Sequence, residues 1–337
     1  MERLSSLATA VEQHGTLATL PEMTSPLFDT NFKTSLDRPK KLVTLDVDGT
    51  ILPDKPELTG RMMNFLYAND LLNESTATQV EVCGRMLPLT AKQTFEALQD
   101  EHHEHGESNS LTTRRQLYDP LNKMHDRQIA GRKRSEVNAI ANEVIRLCLY
   151  EAYQPVLEEI ELHMDDDAYV ALISGSPDFL IQALKRALGL TIATGTQLRK
   201  SGEGRYHPSA PSSPRGRDKH IIVDGMLRRL SFDLMRKQNI PTSIESLGGK
   251  RLMGLEEIPQ EHRFELSAAY GDTIYDFSMM AKAKDPVVVF SHRELSAPVK
   301  ADLYQHALDF GWRTLDVDAP TDPFYNYRYF PQKEGLS

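Results

Sequence analysis

Three times along this chain a short apolar run stops abruptly at acidic or small polar residues, and that pattern constrains the fold more than any other feature. Leu42, Val43 and Leu45 end at Asp46, Asp48 and Gly49; Tyr169 to Ile173 run into Ser174-Gly175-Ser176-Pro177; Phe264 to Tyr270 run into Gly271-Asp272-Thr273-Ile274-Tyr275-Asp276. Short unbroken apolar runs suit parallel strands buried on both faces, and open α/β sheets bind ligands outside the carboxyl ends of such strands. Ile192 to Leu198, followed by a Gly202 to Tyr206 turn, and Val287 to Phe290 add two strand candidates. Helical spacing lies between them, through Phe179, Leu180, Leu184 and Leu188 up to Gly189, and through Ile222, Met226, Leu230 and Leu234 after Lys219. Strands alternating with helices predict a Rossmann-like α/β parallel sheet flanked by helices.

The interval between the first two strands is long. From about Leu58 to Met164 the spacing is mainly helical, with polar interruptions around His102 to Ser110 and Asp126 to Arg134. Its best helix is Ser135 to about Tyr150, where Val137, Ile140, Ala141, Val144 and Cys148 fall on one face. This predicts a helical insertion over 57–164 that divides the core into 40–56 and 165–318. Residues 1–39 form an N-terminal extension without sustained period, and 319–337 a tail rich in aromatics, Phe324, Tyr325, Tyr327, Tyr329 and Phe330.

A net charge of −9 argues against a general binder of nucleic acid or anionic membrane, both of which need clustered positive charge. An anionic substrate therefore needs local help, such as a metal ion. The two cysteines, Cys83 and Cys148, are too few for a disulfide framework and lack metal-ligand spacing. No run approaches the roughly 18 apolar residues of a membrane span, and the first segment lacks a signal-peptide pattern, so the expected location is cytoplasmic.

Asp46-Val47-Asp48-Gly49-Thr50 sets two carboxylates just past a strand, where one can attack phosphorus while the other serves as acid and then base. Asp-Gly is also among the commonest turn pairs. Asp272 and Asp276, four residues apart at an expected helix start, share one face and offer hard oxygen ligands suited to Mg²⁺; acids in a first helical turn are favourable without a metal as well. Ser174 and Gly175 bring a hydroxyl and backbone N–H groups to a helix N-terminus, an anion-binding arrangement, with Ser176 as the expected N-cap and Pro177 as the first helical residue. Lys219 can offset phosphate charge. The run Arg127, Arg132, Lys133 and Arg134, with Arg85 upstream, reads as a solvated charged face.

The order DxDGT, Ser-Gly after a strand, Lys, then GDxxxD resembles the haloacid dehalogenase-like superfamily over roughly Lys41 to Thr314. The SGSP helix and the Gly204-Arg205-Tyr206 hairpin look most like its phosphoserine phosphatase branch, although no matching Glu and Arg pattern is recognisable between Pro53 and Arg134. The resemblance implies Asp46 as nucleophile, Asp48 as acid and base, and Mg²⁺ held by Asp46, the backbone carbonyl of Asp48, and Asp272. It further implies that Asp276 orients the metal shell or the lysine, that Ser174 and Gly175 bind phosphate, and that the insertion caps the site. Counting from Tyr206 puts the family's lysine at Lys219, and counting back from Asp272 puts it at Lys250; the longer apolar-periodic helix after Lys219 favours the first. The implied activity is hydrolysis of a small phosphomonoester, the alternatives being phosphoryl transfer to an acceptor other than water and a non-catalytic regulatory protein of the same fold.

Overall fold

The computed structural model describes residues 40–54, 56–73, 80–82, 85–87, 90–93, 95–96, 123–198, 201–207, 218–246, 249–292 and 298–318. The N-terminal extension, the aromatic tail and the interruption at His102 to Ser110 lie outside them.

Six strands form one parallel sheet: β1 (Lys40–Leu45), β4 (Tyr169–Pro177), β5 (Ile192–Thr196), β8 (Phe264–Gly271), β9 (Asp285–Phe290) and β10 (Arg313–Asp316), in the order β10-β9-β8-β1-β4-β5. Two antiparallel hairpins stand apart, β2 (Val80–Val82) with β3 (Arg85–Leu87) and β6 (Ser243–Ser246) with β7 (Gly249–Leu252). The helices are α1 (Leu58–Ala68), α2 (Arg134–Cys148), α3 (Gln154–Asp165), α4 (Asp178–Ala187), α5 (Asp218–Lys237), α6 (Phe277–Met280) and α7 (Pro298–Phe310). From β1 the chain builds outward through β4 and β5, then crosses to the other side of β1 for β8. The crevice between β1 and β8 is thus the topological switch point, where α/β sheets place their ligands.

Both sheet faces are covered, as the unbroken apolar runs require. On one face Val43, Leu45, Val170, Leu172, Ala268 and Tyr270 pack with Met62 and Leu66 of α1, Val137 and Val144 of α2, Ile160 of α3 and Leu180 of α4. On the other, Leu42, Ala171, Ile173 and Ala269 pack with Val223 and Leu227 of α5, Met279 of α6 and Leu303 of α7. The alternation of consecutive residues between the two clusters is the twofold period of a strand.

The segment between β1 and β4 departs from the expected run of helices: the hairpin of β2 and β3 interrupts it, and residues 123–129 are helical, so the break expected from Asp126 begins only after Ile129. Helices α1 and α2 also share one continuous apolar cluster with the sheet. A short antiparallel pairing ties the segment to the loop after β5, with the Gly131 N–H donating to Tyr206 O at 2.8 Å and the Tyr206 N–H to Arg132 O at 3.1 Å. Arg132 is not a solvated charge. It is buried, donating to Gln128 O, Leu71 O and Glu136.

Leu172 is fully buried at the centre of the sheet, and Leu162 on α3 is 59% exposed. Leu172→Ala should therefore cost about 2–5 kcal/mol in urea unfolding, and Leu162→Ala no more than about 0.5 kcal/mol. Equal effects would mean that the core is misplaced.

Candidate active site

The residues singled out by the sequence meet at the switch point. Strand register sets Leu45 opposite Leu172 on one side and Tyr270 on the other, so Asp46, Ile173 and Gly271 stand level at the sheet's carboxyl edge. Asp46 is anchored there by its own N–H, which donates to Tyr270 O at 3.1 Å. The chain then folds tightly, with Thr50, Ile51 and Leu52 N–H groups all turned to Val47 O. Gly49 sits at φ +84°, and a Cβ there would fall 1.9 Å from Asp272 Oδ2. Only glycine allows both that backbone conformation and that approach.

Each carboxylate has its own surroundings. Asp46 lies 2.8 Å from Lys219 Nζ and retains 13% side-chain exposure, facing the crevice. Burial raises its pKa to about 7, with Lys219 opposing the rise and Asp276 and Asp48 adding to it. Asp48 accepts from the Leu58 N–H at 2.8 Å and from Ser176 Oγ at 2.7 Å; burial still holds its pKa above the usual range, against those two hydrogen bonds. Asp272 is almost fully buried, and burial raises its pKa well above the ordinary carboxylate value, opposed by Lys300 and reinforced by Asp276, Asp46 and Asp54.

Asp276 is saturated by donors: Lys219 Nζ on Oδ1 at 2.5 Å, and the Asp272 N–H, Thr273 N–H and Thr273 Oγ1 on Oδ2 at 3.1 to 3.3 Å. Lys219, on the first turn of α5, bridges Asp46 and Asp276, and the two raise its pKa despite its burial. Lys250 lies on β7.

Two local expectations are corrected. Strand β4 continues through Pro177, which caps a helix that begins at Asp178, one residue later than expected. Ser176 is thereby freed from capping and its hydroxyl donates to Asp48 instead. Asp272 and Asp276 do not share a helical face: Asp272 follows the end of β8, and Asp276 closes a 3-10 turn, Ile274–Asp276. They meet because Gly271 lets the turn fold against the strand, a Cβ there falling 2.4 Å from Asp276 Cβ.

Ser174 is buried and its Oγ accepts the Ser176 N–H at 3.0 Å, while Gly175 O accepts Thr196 Oγ1 at 2.6 Å. Gly195 closes this loop from β5: an added Cβ would lie 2.6 Å from Ser176 O and 2.8 Å from Asp178 Cα, both backbone. Sequence reading gave Ser176 a capping role only, and did not single out Gly195, Asp54 or Lys300. Ser176 at least stands within the quoted SGSP motif; Lys300 carries no local signal at all.

One oxygen from each of Asp46, Asp272 and Asp276 lies within 4.8 Å of the others, the one group of this kind among the described residues. Asp272 Oδ2 is buried without a hydrogen bond. That oxygen has an ion-pair contact, Lys300 Nζ at 3.1 Å; a hard oxygen beside other carboxylates suits a small dication, and the donors already on Asp276 make it a support for the group more than a ligand.

No family model matches the chain, and no curated protein does. Among solved structures, a protein of unknown function from Bordetella pertussis Tohama I aligns over 83% of this chain and 100% of its own at 15% identity, with a TM-score of 0.56. A substrate-bound phosphoserine phosphatase aligns over 81% of this chain and 99% of its own at 14% identity and TM-score 0.41. A HAD family hydrolase from Salmonella enterica serovar Typhi aligns over 82% and 67% respectively, at 14% identity and TM-score 0.41. At these identities the likeness is one of fold, an α/β sheet flanked by helices.

Gly49→Ala should move Asp272 out of place and lower stability by about 1–3 kcal/mol through the strained backbone and the clash. Gly131→Ala, at φ +78° with nothing within 4 Å of its added Cβ, should cost only about 1 kcal/mol. Thermal unfolding of both variants checks this; equal losses would mean that the contact with Asp272 does not constrain Gly49.

Proposed function

We propose that this protein is a Mg²⁺-dependent phosphomonoester hydrolase that works through a phosphorylated Asp46, with the insertion between β1 and β4 serving as a cap that selects a small phosphorylated substrate. The observation that carries this reading is the division of labour among the carboxylates. Asp46 faces the crevice beside Lys219, Asp48 sits next to it with its proton affinity raised, and Asp272 and Asp276 are buried behind them.

Asp46, the backbone carbonyl of Asp48 and Asp272 would hold the metal. When bound, it supplies charge neutralisation for the phosphoryl oxygens and a fixed orientation for nucleophile and substrate. In the first step an Asp46 oxygen attacks phosphorus, the bond from phosphorus to the ester oxygen breaks, and Asp48 gives its proton to the departing oxygen. In the second, Asp48 takes a proton from water, the hydroxide attacks phosphorus, and the bond to Asp46 breaks to release phosphate. Asp48 must hold a proton and then accept one. Burial favours the protonated form, and the donors Ser176 Oγ and Leu58 N–H keep the ionised form accessible.

Lys219 neutralises Asp46 and offers charge to the phosphate, Asp276 holds Lys219 in place, and Ser174 with Gly175 supply donors at the end of β4. Such chemistry rests on positioning and electrostatics.

With p-nitrophenyl phosphate as substrate, Asp46→Asn should abolish turnover, and chelation of the metal should do the same to wild type. Full activity of the variant would sink the nucleophile assignment. Asp48→Asn should lose about 10²–10⁴-fold on an alkyl phosphate, and less on p-nitrophenyl phosphate, whose leaving group needs no acid. Because the Asp46 pKa is raised to about 7 in the absence of a cation, protons compete with metal below that pH. The Mg²⁺ concentration for half-maximal activity should rise as pH falls from about 8 to about 6; a flat dependence would contradict a metal ligand at Asp46.

A further inference from the structure

Behind the crevice lies a second buried ammonium that the proposed reaction does not use. Lys300 Nζ stands 3.1 Å from Asp272 Oδ2 and 3.2 Å from Asp54 Oδ2, with 4% of its side chain exposed. It rises from the first turn of α7, and Asp54 from the loop just after the Asp46 to Thr50 motif. A helix N-terminus disfavours a cation, so the carboxylates determine where this charge sits. The arrangement repeats that of Lys219, which also leaves the first turn of its helix to bridge two carboxylates, Asp46 and Asp276.

The two lysines differ in what they touch. Lys219 contacts the nucleophile and can reach the phosphate; Lys300 contacts the one metal ligand that is otherwise short of donors, since Asp272 Oδ2 makes no hydrogen bond and Oδ1 has only a long one, 3.4 Å, from Thr50 Oγ1.

We propose that Lys300 is a resident counter-ion of the metal centre, a positioning residue that shares Asp272 with the dication and, held in place by Asp54, weakens the affinity for it. The inference rests on the metal reading given above. An ammonium 3.1 Å from a ligand oxygen holds the Asp272 side chain in place before metal arrives, and repels the dication after it binds, so that the site is preorganised without becoming a sink for metal. Asp54 moderates the effect by drawing part of the lysine's charge away from Asp272.

Equilibrium binding of Mn²⁺, followed by the electron paramagnetic resonance signal of the free ion, tests this without reference to turnover. Lys300→Met keeps the length and removes the charge; its Kd should fall about tenfold below that of wild type. Lys300→Arg should stay within about twofold of wild type, the charge being retained. Asp54→Asn should bind more weakly, about threefold or more, since it removes the carboxylate that shares the ammonium with Asp272 and so a nearby negative charge.

A merely structural Lys300 would lower the melting temperature of all three variants without moving Kd in opposite directions. Finite wild-type binding with an unchanged or weakened Lys300→Met Kd overturns the counter-ion role and leaves the metal site standing. Absence of Mn²⁺ binding by wild type overturns both. If Lys300→Met does not fold, the weakening expected of Asp54→Asn decides, and an unchanged Kd there overturns the role.

Discussion

The carboxyl edge of the sheet holds Asp46, Asp48, Asp54, Asp272 and Asp276 in largely buried positions, and the rest of the architecture answers to that charge. Ionised carboxylates out of water are tolerated only when paired or hydrogen-bonded. Two buried ammoniums serve the cluster, Lys219 from α5 and Lys300 from α7, each with 4% of its side chain exposed. Both helices cover the same face of the sheet, and both present their lysine from the first turn, against the helix dipole. Five carboxylates against two lysines leave an excess of negative charge; burial is the main cause of the raised pKa values of Asp46, Asp48 and Asp272, and neighbouring carboxylates add to it. Taking up protons, or binding a cation, relieves the excess.

The two faces of the sheet thus contribute differently. The face of α5, α6 and α7 supplies the counter-charges. The face of α1 to α4 supplies the side chains that close the apolar core and carries the chain away from and back to the crevice. Tyr270 shows how the second face is tied to the sheet: fully buried at the end of β8, it donates its hydroxyl to Glu159 on α3 at 2.6 Å, and Arg313 on β10 donates to both. That network, with Asp285, fixes the edge strand β10 and helix α3 against the strand that ends at Asp272. Burial and the hydrogen bond to Glu159 hold the Tyr270 pKa above the ordinary phenol value, against Arg313, so the ring stays neutral.

Much of this was legible in the sequence because the parts that matter obey local rules. Short unbroken apolar runs announced β1, β4, β8 and β9, and the polar residues at their ends marked the crevice. What escaped was long-range or depended on a shift of one residue. Ser176 reads as an N-cap because Ser before Pro is what a helix start looks like; the helix starts one residue later, at Asp178, and the hydroxyl goes to Asp48. Asp272 and Asp276 read as helical neighbours from their spacing, yet a strand end and a 3-10 turn bring them together through the bare Cα of Gly271. Lys300 is invisible because nothing within its own helix distinguishes it from a surface lysine; only the packing of α7 against the sheet takes it to Asp272.

The surroundings of Asp48 connect the insertion to the chemistry. One of its oxygens accepts from Ser176, which is fixed to the core, and the other from the N–H of Leu58, the first residue of α1. That N–H is one of the donors a helix N-terminus leaves without an internal partner, so Asp48 occupies the end of α1 as a capping acid would. The bond favours the ionised carboxylate, whereas burial favours the protonated one. The seat of α1 therefore bears directly on the protonation of Asp48: the Leu58 donor lowers the carboxylate's proton affinity against the burial that raises it. Arg61, one turn along the same helix, acts in the same direction, because its charge also lowers the Asp48 pKa and its guanidinium is held by Pro53 O and Glu151. A segment that packs as part of the core thus also bears on the proton affinity of Asp48, the group proposed to give up a proton and take one back.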